Sequence, residues 1–389
     1  IQAVQSGQLA ESVLDRSVLR ILAFIGRAQA NGLAGADAPS ATTVAAVPAD
    51  SASIPSGIDA DAHHQLARRI ARESMVLLKN EGACLPFDPS RELVVLGELA
   101  RSPRYQGAGS SLLSPTRVES LLDALAARVI PHRFSPGYRI DHDSPSPVLL
   151  DDARAMAVGA GQILVVLGLT DAYESEGFDR THLRLPTAQT ELLEALAGLG
   201  KPLAVLLVGG APVELPWLDR VQALLLGYLG GQASGAAQVD LLFGQCSPSG
   251  KLAETWPLSL EDCPAHGNFP GDGRQVLYKE GIFVGYRHFL SAGRPVRFPF
   301  GFGLGYTSFA YADLRVPTAP LDAGGLIQGM TVPVSFTLTN SGDRAGSEVV
   351  QAYTSLPGSA IERPAVELRA FTKVHLFPGE TRTITCWSI

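Results

Sequence analysis

Cysteine is scarce, and what there is has no pattern. Cys84, Cys246, Cys263 and Cys386 are the only four in 389 residues, and no two stand in a Cys-x-x-Cys pair. That spacing excludes a zinc ribbon, a redox dithiol and a disulfide framework, so the four read as small buried hydrophobes. Basic excess is missing as well. Lys and Arg total 31 against 38 Asp and Glu, a net charge of −7. With no basic stripe to neutralise phosphates, nucleic acid is excluded as the main partner. No apolar run is long enough to span a bilayer, so no membrane partner is expected. The eight histidines form no ligand pair at helical spacing, and His63-His64 reads as a helix start, so no metal is expected.

Familiar nucleotide and nucleophile motifs are also lacking. Gly244-Gln245-Cys246-Ser247-Pro248-Ser249-Gly250-Lys251 has a P-loop's outline, but its glycine spacing is one too long and Leu252 stands where Mg²⁺ needs Ser or Thr. Gly301-Phe302-Gly303-Leu304-Gly305 neither follows a strand nor opens a helix, as a dinucleotide fingerprint must. Gly231-Gln232-Ala233-Ser234-Gly235 misses the spacing of a nucleophile elbow.

What is present describes a globular chain, 46% hydrophobic and 18% charged, long enough for two or three domains. Leu14, Val18, Ile21, Leu22 and Ile25 recur at three- and four-residue steps, which predicts an amphipathic helix over 9–28. Residues 31–61 are rich in Ala, Ser, Pro, Gly and Thr without period, a linker. From His63 helices and strands alternate. Helices are predicted over 64–78, 116–128, 151–158, 187–199 and 233–243. Strands are predicted over 92–96, 129–134, 162–169, 201–208 and 221–226. Strand interiors apolar on both faces mean a parallel sheet covered by helices. After Trp256 the sequence turns Pro- and Gly-rich as far as Phe309. Beyond Thr331 the period is two (Val332, Val334, Phe336, Leu338), with turns at Asn340-Ser341-Gly342-Asp343 and Pro378-Gly379, which predicts an antiparallel β-sandwich. The start at Ile1 without Met, and an end inside an apparent strand over 381–389, lead us to expect a piece of a longer polypeptide.

One stretch concentrates charge where chemistry is expected. After the strand Gln162–Leu169 come Asp171 and then Tyr173-Glu174-Ser175-Glu176-Gly177-Phe178-Asp179-Arg180. Four carboxylates and an arginine thus share one loop at the carboxyl end of a strand, where ligands of open α/β sheets bind.

These residues resemble the C-terminal half of glycoside hydrolase family 3, the β-glucosidase family. The similarity runs through ARRIARESMVLLKNEGACLPF (67–87), the Gly107-x-Gly109-Ser110-Ser111 loop and ESEGFDRTHLRLP (174–186). It continues in GYLGGQASGAAQVDLLFGQCSPSGKLAETWP (227–257), EGIFVGYRHF (280–289), FPFGFGLGYTSF (298–309) and ELRAFTKVHLFPGE (367–380). The resemblance implies an α/β fold: residues 1–30 as the last helix of a missing (β/α)₈ barrel, the 31–61 linker, an α/β sandwich over 62–309 and a fibronectin-type-III-like domain over 310–389. It implies retaining hydrolysis by two carboxyl groups about 5 Å apart, with no cofactor. The family's nucleophile is an aspartate in an Asp-Trp segment of the barrel, and here none of Trp217, Trp256 and Trp387 follows an Asp. Its acid/base maps to Glu176, with Glu174 the rival, expected to point to the other side of an extended loop. Neighbouring Asp171, Glu174 and Asp179 would raise the Glu176 pKa, while Asp179 and Arg180 would support the loop as a charge-assisted pair.

The implied partners are a β-glucoside or cello-oligosaccharide substrate, the missing barrel and a second copy in a homodimer. The implied compartment is periplasmic or extracellular. The alternatives are a β-xylosidase of the same family, or a carbohydrate-binding or dimerisation module without turnover.

Overall fold

The computed structural model describes residues 2–30, 58–317 and 332–388. The 31–61 linker therefore lies almost wholly outside the described residues. The chain divides into two units, Ile1–His63 and His64–Ile389. In the first, α1 (Gln2–Gln5) precedes the 20-residue α2 (Glu11–Ala30). Along its stripe Leu14, Val18, Ile21 and Ile25 are 44, 53, 60 and 46% exposed among the described residues. No described helix is long and apolar enough to cross a membrane.

The second unit is built on a six-stranded sheet. Its strands are β1 (Val76–Asn80), β2 (Leu93–Leu96), β3 (His132–Ser135), β4 (Gln162–Gly168), β5 (Ala204–Val208) and β6 (Ala223–Leu226). The order is β1-β6-β5-β4-β2-β3, parallel throughout except for β1 on β6. Strands β2, β4, β5 and β6 are buried at every position. Such runs can be satisfied only by helices on both sheet faces. The covering helices include α4 (Leu121–Ala127), α5 (Pro147–Val158), α6 (Thr187–Ala197) and α7 (Ser234–Leu242).

Several expectations shift. The helix over 64–78 is instead α3 (Ala60–Ser74) followed by β1, because Val76 and Leu77 pair antiparallel with β6, Leu78 bulges between Leu77 and Lys79, and all three are buried there. The helix expected from Thr116 begins only at Leu121. Ser120 caps it, its hydroxyl accepting from Asp123 N at 3.1 Å while Asp123 Oδ2 accepts from Ser120 N at 3.0 Å. The strand expected from Val129 starts at His132, since Val129 turns with φ +56 and is exposed. Cys84, Cys246 and Cys263 are free and half-buried, and burial pushes each thiol pKa up.

The C-terminal β-layers form as predicted. One sheet is β7 (Phe309–Arg315), β8 (Val332–Asn340) and β11 (Thr381–Ser388), and the other is β9 (Gly346–Thr354) with β10 (Glu367–Leu376). All pairs are antiparallel, around Phe336, Leu338, Val350, Val374, Leu376 and Ile384. The short α8 (Tyr286–Ser291) precedes β7. A polar bond ties these layers to the α/β part: Lys373 Nζ donates to Glu73 O at 2.7 Å; in the segment before β7, Tyr306 OH donates to Leu241 O at 2.9 Å.

Candidate active site

The strand order reverses between β2 and β4. Chain order runs from β2 outward to β3, then back across β2 to β4 and on to β5 and β6. The helices after β2 and after β4 therefore leave on opposite faces, and a crevice opens beyond the carboxyl ends of these two strands. The loop after β2 and the acidic loop after β4 meet there.

The end of β4 is held rigidly. Gln189 of α6, buried, exchanges two hydrogen bonds of 2.8 Å with the backbone of Gly168. Tyr138 OH donates to Val166 O at 2.8 Å, and Leu169 N donates to Val208 O at 3.0 Å. From that anchor the chain turns at Thr170, whose carbonyl accepts from Tyr173 N at 2.9 Å and Glu174 N at 3.0 Å. The acidic residues thus project from a fixed base.

Arg104, from the loop after β2, organises the first half of the acidic loop. Its side chain is 5% exposed and donates to Leu169 O at 2.9 Å and to Glu174 O at 2.7 Å. The same guanidinium lies 3.1 Å from Asp171 Oδ1 and 3.2 Å from Glu174 Oε2. Glu174 Oε2 also accepts from Gly210 N at 2.9 Å, at the end of β5. Glu174 thus holds the loop to the sheet edge through Oε2. Neither sequence nor resemblance singled out Arg104. Its one signal was a place in the loop following a parallel strand.

Glu176 is exposed and held from one side. Its Oε2 accepts from Ser110 Oγ at 2.5 Å and from Ser110 N at 2.9 Å. Ser110 belongs to the Gly107–Ser111 loop after β2, so the two loops touch at this carboxylate. Gly109, at φ +81, gives Glu176 room: a Cβ there would stand 2.8 Å from Glu176 Cβ. Glu174 and Glu176 do face different partners, but not because the loop is extended: two residues apart in an extended segment they would share a face, and the turns over 171–178 are what separate them. The electrostatics differ from expectation. The Ser110 hydroxyl and then its amide hold the Glu176 pKa below the ordinary glutamate range, rather than neighbouring carboxylates raising it.

The expected Asp179–Arg180 pair does not form. Asp179 is exposed, whereas Arg180 is half-buried and donates through Nη1 to Pro212 O at 3.0 Å. Burial pulls the Arg180 pKa down, opposed by Glu174 and Glu214. Arg180 thus supports the loop through a backbone carbonyl instead. Larger, mainly apolar cavities of about 700 and 1040 Å³ lie against β7 and β9, and no residue of the acidic loop lines them. An open cavity of about 480 Å³ does reach the site, lined by Arg104, Tyr105, Gly107, Thr170 and Asp171.

Comparison with known proteins places this arrangement. The model of the glycosyl hydrolase family 3 C-terminal domain matches residues 75–286, and that of a fibronectin type III-like domain matches residues 348–386. Thermostable beta-glucosidase B of Acetivibrio thermocellus is 42% identical over 388 residues, 99% of this chain and 48% of that protein. An exo-alpha-(1->6)-L-arabinopyranosidase of Bifidobacterium longum is 41% identical over 337 residues, 84% of this chain and 43% of that protein. Among solved structures, a family 3 beta-glucosidase of Bifidobacterium adolescentis superposes with a TM-score of 0.81 at 42% identity, covering 85% of this chain and 48% of that one. The chain spans about half the length of the curated relatives it matches.

Proposed function

The chain belongs to glycoside hydrolase family 3, and on that footing we propose that its acidic loop supplies the general acid/base of a retaining, exo-acting β-glucosidase, with Glu176 in that role. The observation that carries the reading is the contrast between the two glutamates. Glu174 spends Oε2 on Arg104 and the Gly210 amide, while Glu176 is exposed and meets the loop after β2 only through Ser110. In the first step Glu176 gives its proton to the glycosidic oxygen as the C1–O bond breaks and a nucleophilic carboxylate bonds to C1. In the second, the Glu176 carboxylate takes a proton from water as the water oxygen displaces that carboxylate from C1. The nucleophile is not assigned within this sequence, and we place it on a barrel domain that closes over the crevice. The substrate is a terminal β-linked glucose unit of a glucoside or cello-oligosaccharide.

A second reading shares the mechanism and changes the sugar. Relatives 41–42% identical carry the name exo-alpha-(1->6)-L-arabinopyranosidase, so a pentopyranosyl unit, including the β-xyloside expected earlier, is the competing substrate. The test uses the enzyme joined to its barrel. Glu176→Ala should slow substrates with poor leaving groups by about 10²–10⁴-fold and spare activated aryl glycosides at the glycosylation step. Added azide should restore turnover and yield the β-glycosyl azide. Rescue in Glu174→Ala instead would overturn the assignment. Parallel rates on aryl β-glucoside, β-xyloside and α-L-arabinopyranoside choose between the sugars. The present chain alone should turn over none of them.

A further inference from the structure

We propose that Ser110 is a positioning residue that sorts the two carboxylate oxygens of Glu176, clamping Oε2 and leaving Oε1 as the oxygen that exchanges the proton. This deepens the reading of Glu176 as acid/base and rests on it.

The geometry is specific to one oxygen. Oε2 receives both the hydroxyl of Ser110, at 2.5 Å, and its backbone amide, at 2.9 Å. For Oε1 there is no hydrogen-bond partner among the described residues. The two donors differ in kind. A hydroxyl can reverse and accept, but a backbone N–H can only donate. A proton on Oε2 would force the Ser110 hydroxyl to reverse and would weaken the oxygen as acceptor for the N–H, whereas a proton on Oε1 disturbs neither bond, so the neutral acid carries its proton on Oε1. That is the oxygen left open to solvent. A short bond from a neutral hydroxyl to a carboxylate is among the stronger hydrogen bonds and fixes direction as well as distance.

The neighbouring glycine belongs to the same device. At φ +81, Gly109 takes a left-handed conformation that side chains disfavour. A Cβ built there would lie 2.9 Å from Glu176 Oε2 and 2.8 Å from its Cβ. The Gly109-Ser110 pair thus both seats the carboxylate and supplies its donors. Two consequences follow for the cycle. The clamp favours the carboxylate, the form needed to activate water in the second step. By the same measure it depletes the protonated form, so the proton-giving first step gains as pH falls toward the Glu176 midpoint.

The test is a pH titration of this chain labelled with ¹³C at glutamate side chains, followed by NMR, with the Glu176 signal identified by its loss in Glu176→Gln. The wild-type midpoint should lie below that of ordinary glutamate, about 4.3. Ser110→Ala should move it upward. Ser110→Thr, which keeps the hydroxyl, should leave it near wild type. Gly109→Ala, which keeps both donors but fills the seat, should also move it upward. An unmoved midpoint in Ser110→Ala would overturn the clamp, as would an equal shift in Ser110→Thr. Azide rescue separates the two claims. A shifted midpoint without rescue at Glu176 leaves the clamp standing and removes the catalytic role. Rescue with an unmoved midpoint does the reverse.

Discussion

Arg104 Nη2 donates to the backbone carbonyl of Glu174 at 2.7 Å, while Nη1 of the same guanidinium sits 3.2 Å from that residue's carboxylate. One side chain, rooted in the loop after β2, thus fixes both the path and the charge of the loop after β4. Lysine could not replace it, because an ammonium is a point donor without the planar fork that reaches Leu169 O and Glu174 together.

Arg104→Ala should therefore cost about 3 kcal/mol, at the low end for breaking a buried ion pair since Asp171 and Glu174 keep some solvent. Arg104→Lys should recover little of it. Urea denaturation of the chain measures both. A change within about 0.5 kcal/mol, as surface substitutions give, would show that the loop does not depend on this residue.

Asp240 of α7 offers a pH test. It is buried, yet Arg68 of α3 binds both its oxygens at 2.8 and 2.6 Å, and Arg128 donates to Oδ1 at 2.6 Å. Burial alone would raise its pKa, but the bonds from the two arginines hold it below the ordinary aspartate range. A depressed folded value contributes stability above the unfolded pKa of about 3.9, and that stability is lost as pH falls through the folded value. Asp240→Asn should accordingly cost about 3–5 kcal/mol at pH 7, and its deficit against wild type should shrink in acid. A deficit constant down to pH 2 would refute the linkage.

Gly168 sits where β4 delivers the acidic loop. A Cβ there would meet Val208 O at 2.1 Å, forcing β4 and β5 apart at the edge that carries the site. Gly168→Ala should destabilise by about 1–3 kcal/mol or more, as overpacking does. Gly159→Ala, with nothing within 4 Å and an ordinary helical φ, is the matched control and should be near neutral. Equal melting curves for the two variants would contradict the close approach.

The sequence by itself determined the sheet. Runs such as 162–169 and 221–226 are apolar on both faces, and only a strand covered on two sides can bury them. It also placed the acidic loop at a strand's carboxyl end and named the two glutamates. It did not determine β1, because Val76-Leu77-Leu78 continues the apolar phase of α3, and a short apolar run fits a buried strand or a buried helix equally well. Pairing with β6, far along the chain, decided it. The partners of the acidic residues were likewise tertiary. Ser110 lies 66 residues from Glu176, and Arg104 reaches Leu169 O and Glu174 O across 65 and 70. Carbonyls and amides carry no signature in a sequence, since every residue has them. Only the fold, by reversing strand order between β2 and β4, brings particular ones within 3 Å of particular side chains and so sets which carboxylate is tied down and which is left to react.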